Sequence, residues 1–511
     1  MNRLNRKSTA AAIILWTFLF TMGCGATKAN ASPTAGGSRK AMSDKWISDA
    51  VEDELLFDQW VPAGRLSIKT VDGIVELMGR VDNLLAKDRA ERVAETVRGV
   101  RSVVNRIQVD PFWGRSDLQI KQDAEEALIY DTATDSWEID VDVTGGTATL
   151  TGEVDSWREK QLAATVVKGV MGVKDIKNDS VVRYDSDRTD YEIREDIEKT
   201  LQWDILVDNG LVDVEVDDGR VRLSGTVGST AEKTQAAWDA WVAGVKEVDA
   251  DMLEVKFWTR DPRLRKRKYV YRSDGEISEA VENAILYDPR VAPLNVKADV
   301  SNGHVTLRGN VDSLDARRAA GKDARNTVGV QNVTNRLRID ISTATDVQLE
   351  NRIARAFLRD PFIERFDIVV DVINGTAFLR GEVDTYSEKT RAENLASRVH
   401  GITGIKNNLD VEDDRLPLTY DPFLPGYDPY VYYWYDYRPF YSPYTDTMIR
   451  SAIIDELWWS PYVDSDDVKV TVVDGIATLS GEAGSRFERD KATEEAFEGG
   501  AVWVRNKLKI N

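Results

Sequence analysis

Side chains suited to acid, base or nucleophilic work are unevenly supplied in this chain of 511 residues, which holds two histidines, His304 and His400, and a single cysteine, Cys24. His304 follows a turn glycine on an outward-facing position, and His400 closes a helical segment in a different stretch. Two histidines placed so differently, with one cysteine at the far end, do not make a zinc site or a nucleophile–base pair. No phosphate loop, dinucleotide fingerprint, nucleophile elbow or His-Glu zinc motif is present. Carboxylates are plentiful, but the pattern places them on outward strand positions and polar helix faces, which reads as solvated surface. The cluster Asp464, Asp466 and Asp467 lacks the glycine and the terminal glutamate of a calcium loop. The expectation is a protein that is not an enzyme, with no metal, no cofactor and no small-molecule substrate.

Two short segments carry chemistry of another kind, that of surfaces. Arg260, Arg263, Arg265, Lys266, Arg267 and Lys268 crowd together in a chain whose 67 basic residues face 87 acidic ones. Such a cluster is attracted to an anionic lipid headgroup by ~1 kcal/mol per charge; it is equally suited to a solvated spacer or to pairing with acidic neighbours. Tyr430, Tyr432, Tyr433, Trp434, Tyr435 and Tyr437, followed by Phe440 and Tyr441, form a proline-punctuated aromatic belt. Such rings favour the headgroup region of a bilayer, flat sugars and protein interfaces. The plainer alternative is a semi-rigid connector. The formal net charge of −20 argues against nucleic acid as a partner, because the mean field repels phosphate.

The first residues read as an export signal. Arg3, Arg6 and Lys7 precede an apolar run from Ala10 to Met22, too short to span a bilayer comfortably. Ala29-Asn30-Ala31 offers a small-x-small cleavage site, making 1–31 the signal peptide. Alternatively Cys24, after Gly23 at the end of the run, is similar to the lipidated cysteine of a lipobox, although Thr21 stands where leucine is usual. Either processing places the mature chain outside the cytoplasm, in the periplasm or lipid-anchored to the outer membrane. With at most one cysteine, no internal disulfide framework forms.

What must position all of this is a repeat. Pairs of glycines six residues apart occur six times: Gly73/Gly79, Gly146/Gly152, Gly219/Gly225, Gly303/Gly309, Gly375/Gly381 and Gly475/Gly481. Both members of each pair read as structural turn glycines, serving backbone conformation at a hairpin and a strand end rather than cradling phosphate. Before the first glycine of each pair stands Asp72, Gly145, Asp218, Asn302, Asn374 or Asp474, the dipeptides of a type I′ hairpin turn. The flanks alternate as strands do, for example Val212, Val214 and Val216 before the turn and Val221 and Leu223 after it. A leucine lies four residues past the first glycine in every copy. Helical periodicity brackets each hairpin: Ile47, Ala50, Val51 and Leu55 upstream of the first, with Glu54 the polar exception, then Ala86, Ala90, Val93, Ala94 and Val97 downstream. Gly99 reads as the residue after the second helix, and Val103 to Val109 as a third strand.

The predicted fold class is α+β: six tandem two-layer α/β modules, each helix-strand-strand-helix-strand, with two helices on one face of a three-stranded sheet. The modules span 41–110, 115–184, 187–257, 272–340, 344–411 and 443–511. A basic linker occupies 258–271 and a Tyr/Pro-rich linker 412–442.

With its Asp-Gly turn, leucine, second glycine, amphipathic helix and Gly-Val, the segment "IKTVDGIVELMGRVDNLLAKDRAERVAETVRGVRSVVNRIQV" resembles the BON domain of bacterial envelope proteins. A late asparagine completes the pattern, at Asn105, Asn178, Asn335, Asn407 and Asn506, with Ala250 in the neighbouring slot of the third copy. The resemblance implies phospholipid binding or osmotic-stress tolerance in the periplasm, with an anionic phospholipid or an envelope protein as partner. A scaffold or chaperone-like role toward other proteins is the alternative.

Overall fold

The computed structural model describes residues 43–511 except 59, 112–113, 132–138, 184–187, 257–271, 292–295, 341–343, 364–367, 412–444, 461, 474, 500, 502 and 511. Cys24, the leader, the basic linker and the aromatic belt therefore lie outside the described residues.

Module 1 sets the pattern: α1 (Asp44–Phe57), β1 (Leu66–Val71), β2 (Ile74–Val81), α2 (Leu84–Thr96) and β3 (Ser102–Val109). β1 and β2 form an antiparallel hairpin, and β3 runs parallel to β2 on its other side. Both central residues of the hairpin have positive φ, 50° at Asp72 and 75° at Gly73, which is the type I′ geometry that follows strand twist. The inward residues Val75, Leu77 and Val81 are fully covered by the two helices.

The second glycine of each pair is not a turn residue, which corrects the sequence reading. Gly79, Gly152, Gly225, Gly381 and Gly481 lie inside the central strand of their modules, and Gly309 sits in the break between the strand pieces His304–Arg308 and Asn310–Val311. Their task is close approach. Gly79, Gly152, Gly225, Gly381 and Gly481 face the first residue of the preceding strand: Leu66, Ile139, Val212, Ile368 and Val468. A Cβ at Gly79, Gly225 or Gly481 would run into the carbonyl oxygen of Arg65, Leu211 or Asp467. Their φ values, 128° at Gly79, 121° at Gly152, 116° at Gly225, 129° at Gly309, 131° at Gly381 and 130° at Gly481, are ones that a side chain strongly disfavours. Glycine here lets the first strand enter flush against the second.

The plan recurs. The first helices of modules 2 to 6 are α3 (Asp117–Tyr130), α5 (Asp190–Trp203), α7 (Asp274–Leu286), α9 (Asp346–Arg359) and α11 (Asp446–Trp459). Their second helices are α4 (Trp157–Lys168), α6 (Thr230–Asp239), α8 (Leu314–Arg325), α10 (Tyr386–Ser397) and α12 (Arg486–Glu498). Every first helix opens on a Ser or Thr whose hydroxyl accepts the N–H three residues on, satisfying one of the donors a helix start leaves free. Two helix ends also differ from the sequence expectation. α2 ends at Thr96, so Gly99, at φ 105°, closes the turn beyond the helix rather than capping it. Likewise α10 ends at Ser397, leaving exposed His400 in the following turn.

The third strand is continuous in modules 1, 5 and 6 and interrupted in the other three. Module 3 has a physical reason. Glu247 faces Arg220, an offset of 27, whereas Leu253 faces Gly225, an offset of 28. One extra residue is looped out between them, a bulge, and it falls at Ala250–Met252, where the asparagine of the other modules is missing.

The modules pack by two rules, each used repeatedly. In the first, the opening residue of a second helix docks on another module. Leu84 enters the core of module 2. Trp157 of module 2 stacks on Trp241 of module 3, centroids 4.5 Å apart. Thr230 of module 3 donates to the Val100 carbonyl of module 1 at 2.7 Å. This closes a cycle of modules 1, 2 and 3. In the second half, Leu314 enters the core of module 5 and Arg486 of module 6 donates to Asn332 of module 4 at 2.6 Å.

The second rule joins the halves: the end of a first helix pairs with the turn after a second helix across the seam. Met171 N–H donates to the Arg359 carbonyl at 2.7 Å, joining modules 2 and 5. At the equivalent place Val328 N–H donates to the Trp203 carbonyl at 2.9 Å, joining 4 and 3. Modules 1 and 6 meet where the Arg98 guanidinium lies over Trp458, 4.7 Å from the ring centroid. Seams 1–6, 2–5 and 3–4 thus each join a module of the first half to one of the second.

Candidate functional site

Each module has one built polar feature at its hairpin end. The Asp that opens the first helix accepts hydrogen bonds from both central amides of the turn: Asp44 from Asp72 and Gly73, both 2.9 Å, and Asp117 from Gly145 and Gly146 at 2.8 and 2.9 Å. Asp190, Asp274 and Asp346 repeat the pair, and Asp446 accepts from Gly475 at 2.8 Å. A carboxylate is stabilised here by two N–H donors and by the helix N-terminus behind it. In module 4 the amides of Gly303 and Asn302 hold the Asp274 carboxyl below its ordinary range. The sequence reading missed this aspartate, although the signal was available: it lies 29 residues before the turn glycine in all six copies.

The late asparagine is a second staple. Asn105 Nδ2 donates to the Lys87 carbonyl at 2.9 Å, and its Oδ1 accepts Ile107 N–H at 3.1 Å, tying the third strand to the second helix. Asn335, Asn407 and Asn506 do the same. Each of these asparagines faces the repeat leucine on the central strand, Asn105 opposite Leu77 for instance.

A hairpin clipped by an aspartate, a strand stapled by an asparagine and a leucine at the centre are repeated along the chain, and the BON domain matches six copies, at residues 43–111, 116–184, 189–256, 273–340, 345–413 and 445–511. The chain belongs to the BON domain family.

Among curated proteins, this BON-repeat chain is 29% identical over 196 residues to Osmotically-inducible protein Y of Escherichia coli (strain K12), covering 35% of this chain and 97% of that one. It is 27% identical over 179 residues to Outer membrane lipoprotein DolP of Haemophilus influenzae, covering 32% of this chain and 91% of that one. A solved C-terminal domain of CdsD, a structural protein of the type III secretion system of Chlamydia trachomatis, overlays with a TM-score of 0.12 at 13% identity, over 42% of this chain and 100% of that one. A likeness that loose carries no argument.

A number of acids are buried, several of them at the seams between BON modules, which corrects the reading of the carboxylates as solvated throughout. Asp58, Asp131, Asp288, Asp315, Asp360, Glu393, Glu494 and Glu495 are all buried. The reason is geometric: one helix face packs on its own sheet, and part of the polar face is then covered by another module. At the 2–5 seam the acids meet arginines, Arg115 with Asp123, Arg355 and Arg359 with Glu126, Arg398 with Asp131, and Arg391 with Asp360. In module 4, burial would raise the Asp288 carboxyl, but the Arg290 guanidinium beside it prevails and holds it at about 2. Burial, then the charge of Asp288, pushes the neighbouring Asp323 well above its usual value.

A cavity of about 680 Å³ lies against this pair, walled by α2, α4 and α6 of modules 1 to 3 together with module 4. Arg158, Trp203, Trp238, Tyr287, Asp288 and Asp323 are among its lining residues. Its size is that of a small-molecule pocket, but acids and bases alternate over its wall and no single sign of charge dominates. His304 lies elsewhere, its Nε2 2.9 Å from Thr334 Oγ1. Among the described residues there is no grouping of three or more His, Cys, Asp or Glu able to hold a metal. No described helix is long and apolar enough to cross a membrane.

The exposed apolar side chains are ordered. Leu118 and Ile129 on α3, and Val347 and Leu358 on α9, are exposed. Eleven residues bring a helix back to within ~20° of the same face, so each pair shares one stripe. The two helices run antiparallel at the 2–5 seam: Arg115 at the start of α3 donates to the Leu358 carbonyl at 3.1 Å, and Arg352 of α9 lies over Tyr130. At the other seams Trp46, Leu56 and Met448, and Tyr191 and Leu286, are exposed on the corresponding first helices.

Proposed function

We propose that this protein is an exported, non-catalytic component of the bacterial cell envelope that associates with anionic phospholipid surfaces and supports envelope integrity under osmotic stress. The observation that carries the reading is the pair of antiparallel first helices at the 2–5 seam, with Leu118, Ile129, Val347 and Leu358 exposed. Isolated apolar side chains along a helix pair, flanked by Arg352 and Arg355, suit insertion among headgroups at the membrane interface. The names of the relatives, an osmotically inducible protein and an outer membrane lipoprotein, support the compartment and the stress. Arg260, Arg263, Arg265, Lys266, Arg267 and Lys268 add a local electrostatic attraction, and Tyr430, Tyr432, Tyr433, Trp434, Tyr435 and Tyr437 an aromatic one. Cys24 is the proposed lipidation site, with cleavage after Ala31 as the competing outcome; the intact mass of the mature chain separates them.

Liposome cosedimentation tests the reading. The mature chain is expected to sediment with vesicles containing anionic phospholipid and to lose binding when Leu118 and Val347 become glutamate. Reversing Arg265, Lys266, Arg267 and Lys268 to glutamate, or raising salt, measures the electrostatic share, because a surface charge acts only within a Debye length of ~10 Å at 0.1 M. Removing Tyr432, Tyr433 and Trp434 measures the aromatic share. A wild-type chain that ignores vesicles of every composition overturns the lipid reading in favour of a periplasmic scaffold that binds other proteins.

A further inference from the structure

We propose that the seam between modules 1 and 6 is a proton-operated clasp, closed while Glu54 and Glu494 keep their protons and loosened when they ionise. The 2–5 and 1–6 seams differ in charge. At the 2–5 seam the described buried acids Asp131 and Asp360 each have an arginine partner. At the 1–6 seam Glu54 and Glu494 stand among more acids than cations. Module 1 contributes Glu54 from α1, Asp58 just after it and Arg89 from α2; module 6 contributes Lys491, Glu494 and Glu495 from α12. Arg89 is taken by Asp58 at 2.7 Å, with both side chains buried. Lys491 is shared between Glu494 at 3.2 Å and Glu495 at 3.4 Å. Asp490, which also faces Glu494, has Arg486 and Arg489 within ion-pair distance. Among these described groups the carboxylates outnumber the cations in a region water enters poorly, and a carboxyl so placed avoids its charge by keeping the proton.

The carboxyls reflect this arrangement. Burial first, then the charge of Glu495, pushes Glu54 up to about 7. Burial likewise raises Glu494 to about 7, against the opposing pull of Lys491. In the open seam both would titrate at the ordinary glutamate value of ~4.3. Below that value both groups are protonated in either state and the seam has its full strength. As the pH rises through the ordinary value the open form ionises first, and the closed form loses ground until the pH has passed about 7. The loss for one carboxyl is on the order of a hundredfold in the closing equilibrium. The seam concerned is the one that joins the first module to the last, so its loosening leaves the internal seams 2–5 and 3–4 in place.

Hydrogen exchange of the full chain, followed by mass spectrometry between about pH 5 and about pH 8 and corrected for the intrinsic rate, tests the clasp. Protection of α1 and α12 is expected to fall at least ~10-fold across that range, while α3 and α9 at the 2–5 seam stay level. In the double variant Glu54→Gln with Glu494→Gln, the pH dependence of α1 and α12 should vanish. A flat wild-type profile, an equal fall at the 2–5 seam, or an unchanged slope in the variant overturns the proposal. Should the double variant fail to fold by circular dichroism, Lys491→Met takes its place. Removing the shared cation must deepen the loss at neutral pH, and an unchanged profile also overturns the clasp.

Discussion

The carboxylate of Asp190 accepts the amide of Gly219 at 2.9 Å, across 29 residues of chain. With the companion bond from Asp218 at 3.0 Å, it fixes the start of α5 to the hairpin tip, so the angle between helix and sheet is set at one point. Substitution Asp190→Ala removes both bonds and the acid at the helix start. It is expected to lower protection of the turn amides of module 3, by ~1–2 kcal/mol for a half-exposed pair, as read by native-state hydrogen exchange. Unchanged protection at Gly219 would show that the clip contributes nothing. Acid should act in the same way in module 4. A carboxyl held below its ordinary value contributes stability that is present above that value and lost as the pH falls through the lowered one. The Gly303 amide resonance should therefore titrate with Asp274 at a pH below 3.8, the ordinary aspartate value.

Gly225 is the position least tolerant of a side chain in module 3. Its φ is 116° and the space a Cβ needs is occupied by the Leu211 carbonyl. Gly225→Ala must shift the backbone as well as strain it, at a cost of several kcal/mol, more than the ~1–3 expected for strain alone. Gly219→Val tests the hairpin tip in the same way, since a Cβ there would lie 2.9 Å from the Gly244 carbonyl oxygen. Limited proteolysis of module 3 should accelerate in both. A variant as resistant as the parent would rule out this account of the glycines.

Arg391, partly exposed, pairs at 2.6 Å with Asp360, which is almost wholly enclosed. Arg391→Met strands the carboxylate and should cost ~3–5 kcal/mol, whereas replacing both partners with apolar residues of similar size should cost far less. A double-mutant cycle in chemical denaturation, monitored at module 5, checks the difference. Equal losses in the single and double variants would mean that the pair is solvated.

Much of the module was legible because its determinants are local. Alternation at Val212, Val214 and Val216, helical spacing at Ala86, Ala90 and Val93, and Asp-Gly or Asn-Gly turns each act within a few residues, so a single sequence displays them. The second glycines were legible as a pattern and misplaced in role, because the carbonyl that excludes a Cβ at Gly79 belongs to Arg65, on the neighbouring strand. The late asparagine was legible in the same partial way: the Lys87 carbonyl that Asn105 meets is 18 residues away. The bulge in module 3 was hinted at by Ala250 and became explicable only from the change in strand offset.

By itself the sequence determined six copies of one hairpin-centred module, since backbone conformation and burial period are properties of short segments. Tertiary structure alone decided which modules meet. Leu84, Trp157 and Leu314 are apolar residues opening helices, and nothing local distinguishes such a residue from an ordinary exposed one until another module covers it. The same holds for charge: Glu54 and Glu126 are both acids on the polar face of a first helix. One meets Glu495 and Lys491 across its seam and the other meets Arg355 and Arg359, because the energy of a buried charge depends on neighbours brought from distant parts of the chain.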